Sequence, residues 1–240
     1  MGGQTLDEIG LKHGTDKASS DHDYLRFYES FLEGKRLSEL SILEVGVFNC
    51  QSLKTWEEYF PNGRIVGVDI TQGAKRFERG RIAIEIADQS DIQQLTDVAV
   101  KHGPFDLVVE DGSHLCEHQI TTLRTLFPFV RDEGIYIVED LQTNFGRMLE
   151  DYRGVSSTTC VEYLKKWLDL RVARRARPRV RVGRRRVALA DEGVHHRVEA
   201  AAGAPHVERL LLEVVERVVR TNGRLSHVGR IRERNVRVSV

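Results

Sequence analysis

The chemistry in this 240-residue sequence gathers in two short acidic stretches, Glu110-Asp111-Gly112-Ser113-His114 and Glu139-Asp140. Carboxylates crowded together repel one another, and a hard divalent cation such as magnesium relieves that repulsion by taking oxygen ligands. His114, three residues past Asp111, is a candidate general base, because an imidazole titrates close to neutral pH. The plainer alternative is that Asp111 and Asp140 cap helices and His114 lies on the surface. Two further acids could serve a nucleoside. Asp69 could accept hydrogen bonds from a ribose diol, and Asp88-Gln89 could meet an adenine amino group; for each, a helix cap is the alternative. In Glu44-Val45-Gly46-Val47-Phe48-Asn49-Cys50 a glycine lets the backbone approach a ligand closely. An acid two residues before that glycine suits a cationic, phosphate-free ligand. A nicotinamide site would instead carry G-x-G-x-x-G ahead of a helix that holds a pyrophosphate, and that pattern is missing. A dehydrogenase is therefore disfavoured.

These residues need strands and helices that end in one place. Residues 41–47, 64–70, 82–86, 105–111 and 134–140 read as short apolar strands. Between them, 52–59, 92–102 and 118–127 read as helices. Apolar strands alternating with helices predict an α/β fold with a central, mostly parallel sheet covered on both faces. Right-handed crossovers bring the C-terminal ends of such strands to one edge, where ligands bind. Gly46, Asp69, Asp88, Asp111, Glu139 and Asp140 all fall at that edge. Ahead of the sheet, 24–32 has helical spacing, with Ser19-Ser20-Asp21 as the expected cap, and His13-Gly14-Thr15-Asp16-Lys17 forms a compact polar turn.

Composition limits the alternatives. The chain is 40% hydrophobic and 30% charged, ordinary for a globular protein, and has no apolar run of eighteen residues, so no membrane partner is expected. The N-terminus lacks the basic start and apolar stretch of a signal peptide. Three isolated cysteines, Cys50, Cys116 and Cys160, suit a reducing compartment, so a cytoplasmic location is expected.

The segments HGTDK, ILEVGVFNCQSLKTWEEYFPNGRIVGVDI, ADQSD, FDLVVEDGSHLCEHQ and YIVEDLQTNFG together resemble the macrolide and deoxysugar O-methyltransferases, including rhamnosyl O-methyltransferases, over about residues 8–168. The resemblance implies a Rossmann-like class I methyltransferase that uses S-adenosylmethionine and Mg²⁺ to methylate a sugar hydroxyl of a glycosylated natural product. It implies Asp111, Glu139 and Asp140 as metal ligands and His114 as the base. It assigns the cofactor to Thr15, Lys17, Glu44, Gly46, Val47, Asn49, Ser52, Asp69, Ile70, Asp88 and Gln89. It also implies a helical cap over residues 1–40 and a catalytic domain over 41–168. The family usually has glycine where this chain has Cys50, which is expected to crowd the methionine end of the cofactor. A homo-oligomer stays open, and nucleic acid is not an expected partner.

Residues 169–240 break the pattern. After residue 170 there are 18 Arg, no Lys and seven Asp or Glu, and the last aromatic residue is Trp167. The family fold would continue there with two more strands. A basic arm, a largely disordered tail with one helix at 205–221, and translation from a shifted reading frame are the three readings. The abruptness of the change favours the third. In that case the last strands are missing, and a non-catalytic cofactor-binding remnant is the alternative to an active enzyme.

Overall fold

The computed structural model describes residues 3–167. The expectations for the Arg-rich tail, and for the strands that would follow residue 168, lie outside the described residues. Five strands form one sheet: β1 (Ser41–Val45), β2 (Arg64–Asp69), β3 (Ile82–Ile86), β4 (Phe105–Glu110) and β5 (Val130–Val138). Their order is β3-β2-β1-β4-β5, and every neighbouring pair is parallel. Six α-helices accompany them: α1 (Leu6–His13), α2 (Tyr24–Leu32), α3 (Gln51–Tyr59), α4 (Ile92–His102), α5 (Cys116–Leu126) and α6 (Met148–Tyr152). Residues 160–167 are helical as well.

Alternation along each strand divides the core in two. Leu43, Val45, Val66, Val68, Val108, Tyr136 and Val138 face one cluster with α4, α5 and Leu164. Ile42, Ile65, Ile82, Leu107, Val109, Ile135 and Ile137 face the other, with α1, α2 and α3. Because both faces are covered, all five residues of β1 are buried, and the strands read as apolar runs instead of alternating ones. The first 40 residues share a core with the sheet: Leu6, Ile9, Leu25, Tyr28 and Leu32 pack in the same cluster as Ile42 and Trp56.

Two local expectations are corrected. The start of α2 is not capped by Ser19, Ser20 or Asp21. Its N-cap is Asp23, in a left-handed conformation and without a side-chain bond, and the first amides of the helix, on Tyr24 and Leu25, donate to the carbonyl of Lys17. Strand β5 begins at Val130, four residues before the apolar run, because pairing with Phe105 across a register shift carries the exposed Arg131-Asp132-Glu133 into the sheet.

Candidate active site

The turn from β1 into α3 sets the position of the site. Gly46 has φ +99°, and a Cβ there would lie 2.0 Å from the backbone oxygen of Asp111, so only glycine lets the ends of β1 and β4 come this close. The turn then passes through Phe48 (φ 44°) and Cys50 (φ 63°), while His114 (φ 61°) and Asp140 (φ 56°) take up the same left-handed region at neighbouring strand ends. Four non-glycine residues at this one edge hold a conformation that carries a cost in local strain. The left-handed geometry at position 50 is one that glycine adopts most readily. The Cys50 side chain is buried in the core and does not line the cavity described next, so the expected crowding of a cofactor is not found.

A cavity of about 530 Å³ opens between the ends of β1, β2, β3 and β4. Of the predicted cofactor residues, Gly46, Asn49, Asp69, Ile70, Asp88 and Gln89 line it. Asp69 organises its rim. One carboxylate oxygen accepts the amides of Val47 at 3.0 Å and Phe48 at 3.2 Å, and the other accepts that of Thr71 at 2.7 Å. Partial burial pushes the Asp69 carboxyl up, but these donors outweigh it and hold its pKa below the usual value. Val47 thus contributes its backbone. Asp88 accepts from the Ser90 amide and hydroxyl, and the cap of α4 is Asp91, so Asp88 is not the helix cap. Gln89 is engaged within the protein. Its amide nitrogen donates to Glu110 and Thr122, and its oxygen accepts the Ser113 amide.

The other four predicted cofactor residues lie elsewhere. Glu44 is fully buried and accepts from Ser52 Oγ and Trp56 Nε1; desolvation raises its pKa to about 7 against the pull of Lys17. Thr15 is buried in the polar turn, where its hydroxyl accepts the Lys17 amide. Lys17 goes to the acid cluster. Its ammonium donates to Asp111 Oδ2 and, at 2.8 Å, to Glu139 Oε2, and its side chain is 2% exposed. Burial lowers the Lys17 pKa, but Glu139, Asp111 and Glu44 together hold it well above 10.5.

Around that ammonium stand the predicted metal ligands. Asp111, His114 and Asp140 offer ligand atoms within 4.8 Å of one another. Glu139 is buried against Lys17 and the Tyr28 hydroxyl, which donates to it at 2.9 Å. Asp140 Oδ1 accepts from Tyr24 and Gln142, while Oδ2 lies 3.4 Å from His114 Nε2. Burial raises the Asp140 pKa, but Gln142, His114 and Tyr24 together bring it below the usual carboxylate value. His114 Nδ1 is buried and has no partner among the described residues. Two carboxylates and an imidazole whose buried Nδ1 has no partner among the described residues make a donor set that fits a divalent cation. Asp111 belongs both to this cluster and to the lining of the cavity, so the two sites are continuous.

Sequence reasoning missed several of these groups. Tyr24 and Tyr28 read only as apolar positions on a helix, although their i, i+4 spacing puts both hydroxyls on one face. His118, which lines the cavity and shares a hydrogen bond with Ser113 Oγ at 2.7 Å, read as helix. The lining also includes Phe48, 79% exposed, and Phe77, from a short 3₁₀ stretch after β2 that went unrecognised. A large apolar residue inside a strand-end turn was the available signal for Phe48.

No family model matches the chain. Among curated proteins it is 36% identical over 168 residues to the 8-demethyl-8-alpha-L-rhamnosyl tetracenomycin-C 2'-O-methyltransferase of Streptomyces olivaceus, across 67% of this chain and 44% of that protein. It is 37% identical over 173 residues to the demethylmacrocin O-methyltransferase of Streptomyces fradiae, across 68% of this chain and 44% of that one. Among solved structures, the MycE methyltransferase of the mycinamycin biosynthetic pathway, in complex with Mg and SAH, superposes with a TM-score of 0.67 at 29% identity, covering 75% of this chain and 48% of its own. The chain spans less than half the length of the relatives it matches. Its five-stranded parallel sheet flanked by helices is that of the Rossmann-like class I methyltransferases.

Proposed function

From homologues that are sugar O-methyltransferases, we propose that this chain carries out S-adenosylmethionine-dependent methylation of a hydroxyl on a glycosylated natural product. The observation that carries the reading is the continuity just described: a nucleoside-sized cavity, rimmed by Asp69 and Asp88, that ends at an acid–histidine cluster through Asp111. Bound in that cavity, S-adenosylmethionine supplies an electrophilic methyl group, so the protein's task is to position and deprotonate the acceptor. Asp69 is placed to accept the ribose hydroxyls and Asp88 the adenine amino group, while Gly46 lets the backbone come close beside them. Asp111 and Asp140, with Glu139 beside them, are the residues to hold a divalent cation, whose charge would lower the pKa of an acceptor hydroxyl. His114 takes the acceptor's proton. The adjacent Asp140 carboxylate, 3.4 Å away, keeps the ring beside the cation centre.

Calorimetric titration with S-adenosylhomocysteine, with and without magnesium, tests the cofactor half. Micromolar binding is expected, and its absence from a folded protein would refute the methyltransferase reading. His114→Ala should lower methyl transfer by about a hundredfold or more with cofactor binding retained. EDTA should abolish turnover. Binding without turnover on any glycosylated acceptor would favour the non-catalytic alternative.

A further inference from the structure

The acids at the strand ends are held from outside the sheet. Three donors come from one short stretch of chain ahead of it: Lys17 to Asp111 and Glu139, Tyr24 to Asp140, and Tyr28 to Glu139. All three side chains are buried, Tyr28 completely. Tyr24 and Tyr28 lie one turn apart on α2, with ring centroids 6.1 Å apart, so one helix face presents both hydroxyls. The chain between Lys17 and α2 is fixed by its own backbone bonds, since the Lys17 carbonyl accepts the first two amides of the helix. A shift of α2 would therefore move Lys17 and both tyrosines together.

Resting on the cation centre proposed above, we infer that Lys17, Tyr24 and Tyr28 are positioning residues for it. They choose which carboxylate oxygens remain for a cation. The bonds described to Asp111 use Oδ2, and those from Tyr24 and Gln142 to Asp140 use Oδ1. Asp111 Oδ1 and Asp140 Oδ2 are left outside those bonds, in a cluster where Asp111, His114 and Asp140 offer ligand atoms within 4.8 Å of one another. Hydrogen bonds to a ligating carboxylate fix its rotamer and orientation, and loss of such an outer partner typically weakens metal binding about 10- to 100-fold. The tyrosines are well suited to this task. They orient the acids without adding charge, while the single ammonium of Lys17 keeps Asp111 and Glu139 from repelling each other.

The test uses the full chain and Mn²⁺ as the probe, with free ion followed by electron paramagnetic resonance. Tyr24→Phe and Tyr28→Phe keep the rings and delete only the hydroxyls. Each should raise the Mn²⁺ dissociation constant about tenfold or more. Affinity for S-adenosylhomocysteine, measured by calorimetry without metal, should stay within about twofold, because neither tyrosine lines the cofactor cavity. Saturable Mn²⁺ binding that is unchanged in both variants would overturn the positioning role while leaving the cation centre standing. Parallel losses of Mn²⁺ and S-adenosylhomocysteine binding would reduce the tyrosines to a structural role and overturn it too. A wild-type protein that binds no Mn²⁺ would refute the cation centre itself, and this inference with it.

Discussion

Lys17→Met isolates the charge balance at the centre of the site. Methionine matches the length of lysine and keeps its apolar stem, so the change removes chiefly the ammonium. That ammonium touches Asp111 and Glu139, so the variant leaves Glu139, only 2% exposed, facing the part-buried Asp111 with no cation between them. Removing one partner of a buried pair typically costs about 3–5 kcal/mol. For a domain of this size each kcal/mol moves the melting temperature by about 2–4 °C, so a fall of roughly 10 °C is expected. The acids limit the loss by taking up protons. Burial already raises the pKa of both, against the pull of Lys17, and without the ammonium they rise further. A carboxyl whose folded pKa is raised contributes fully below its unfolded pKa, and that contribution is lost as pH rises through the folded value. The deficit of the variant should therefore be largest at pH 8 and shrink towards pH 5. Thermal unfolding followed by circular dichroism, in EDTA at both pH values, reads this directly. A variant that melts within about 2 °C of wild type at pH 8 in EDTA would refute the reasoning.

Two further outcomes follow from buried or shared carboxylates. Glu110 is fully buried with one oxygen that has no partner among the described residues, and desolvation, reinforced by Asp111 and Asp140, raises its pKa to about 7. Stability from its protonated form is complete below about pH 4.5 and lost as pH rises through 7, so wild-type stability should fall from pH 5 to pH 8. Glu110→Gln should flatten that slope and stabilise the protein at pH 8 by on the order of 1–3 kcal/mol, as denaturant unfolding at the two pH values would show. Asp69→Ala strips the acceptor from the amides of Val47, Phe48 and Thr71 at the cavity rim. It should weaken S-adenosylhomocysteine binding by about tenfold or more in a calorimetric titration, and unchanged affinity would remove Asp69 from the cofactor site.

The sequence by itself determined the elements and the chemistry at their ends. Runs such as Ile65–Val68 and Leu107–Val109 are apolar on both faces, which a doubly covered parallel strand requires, so β1 to β4 were legible to within two residues. Acids placed directly after such runs must share an edge, because right-handed crossovers align parallel strands. That argument found Asp69, Asp88 and Asp111 without coordinates. It rests on periodicity and turn chemistry, which act over a few residues. The tertiary structure decided what those rules cannot reach. Strand order β3-β2-β1-β4-β5 is absent from any local pattern, and so is the start of β5 at Val130, which pairing to β4 imposes. Gln89 became an internal bridge as well as part of the cavity lining because Glu110 and Ser113, from another strand and the turn beyond it, arrive beside it. Lys17 meets Asp111 and Glu139 across 94 and 122 positions of chain. Nothing in the spacing of a lysine in a polar turn reports which buried charge it will face. That depends on α1 and α2 packing against the same face of the sheet as Ile42 and Trp56, which brings the turn over the ends of the strands.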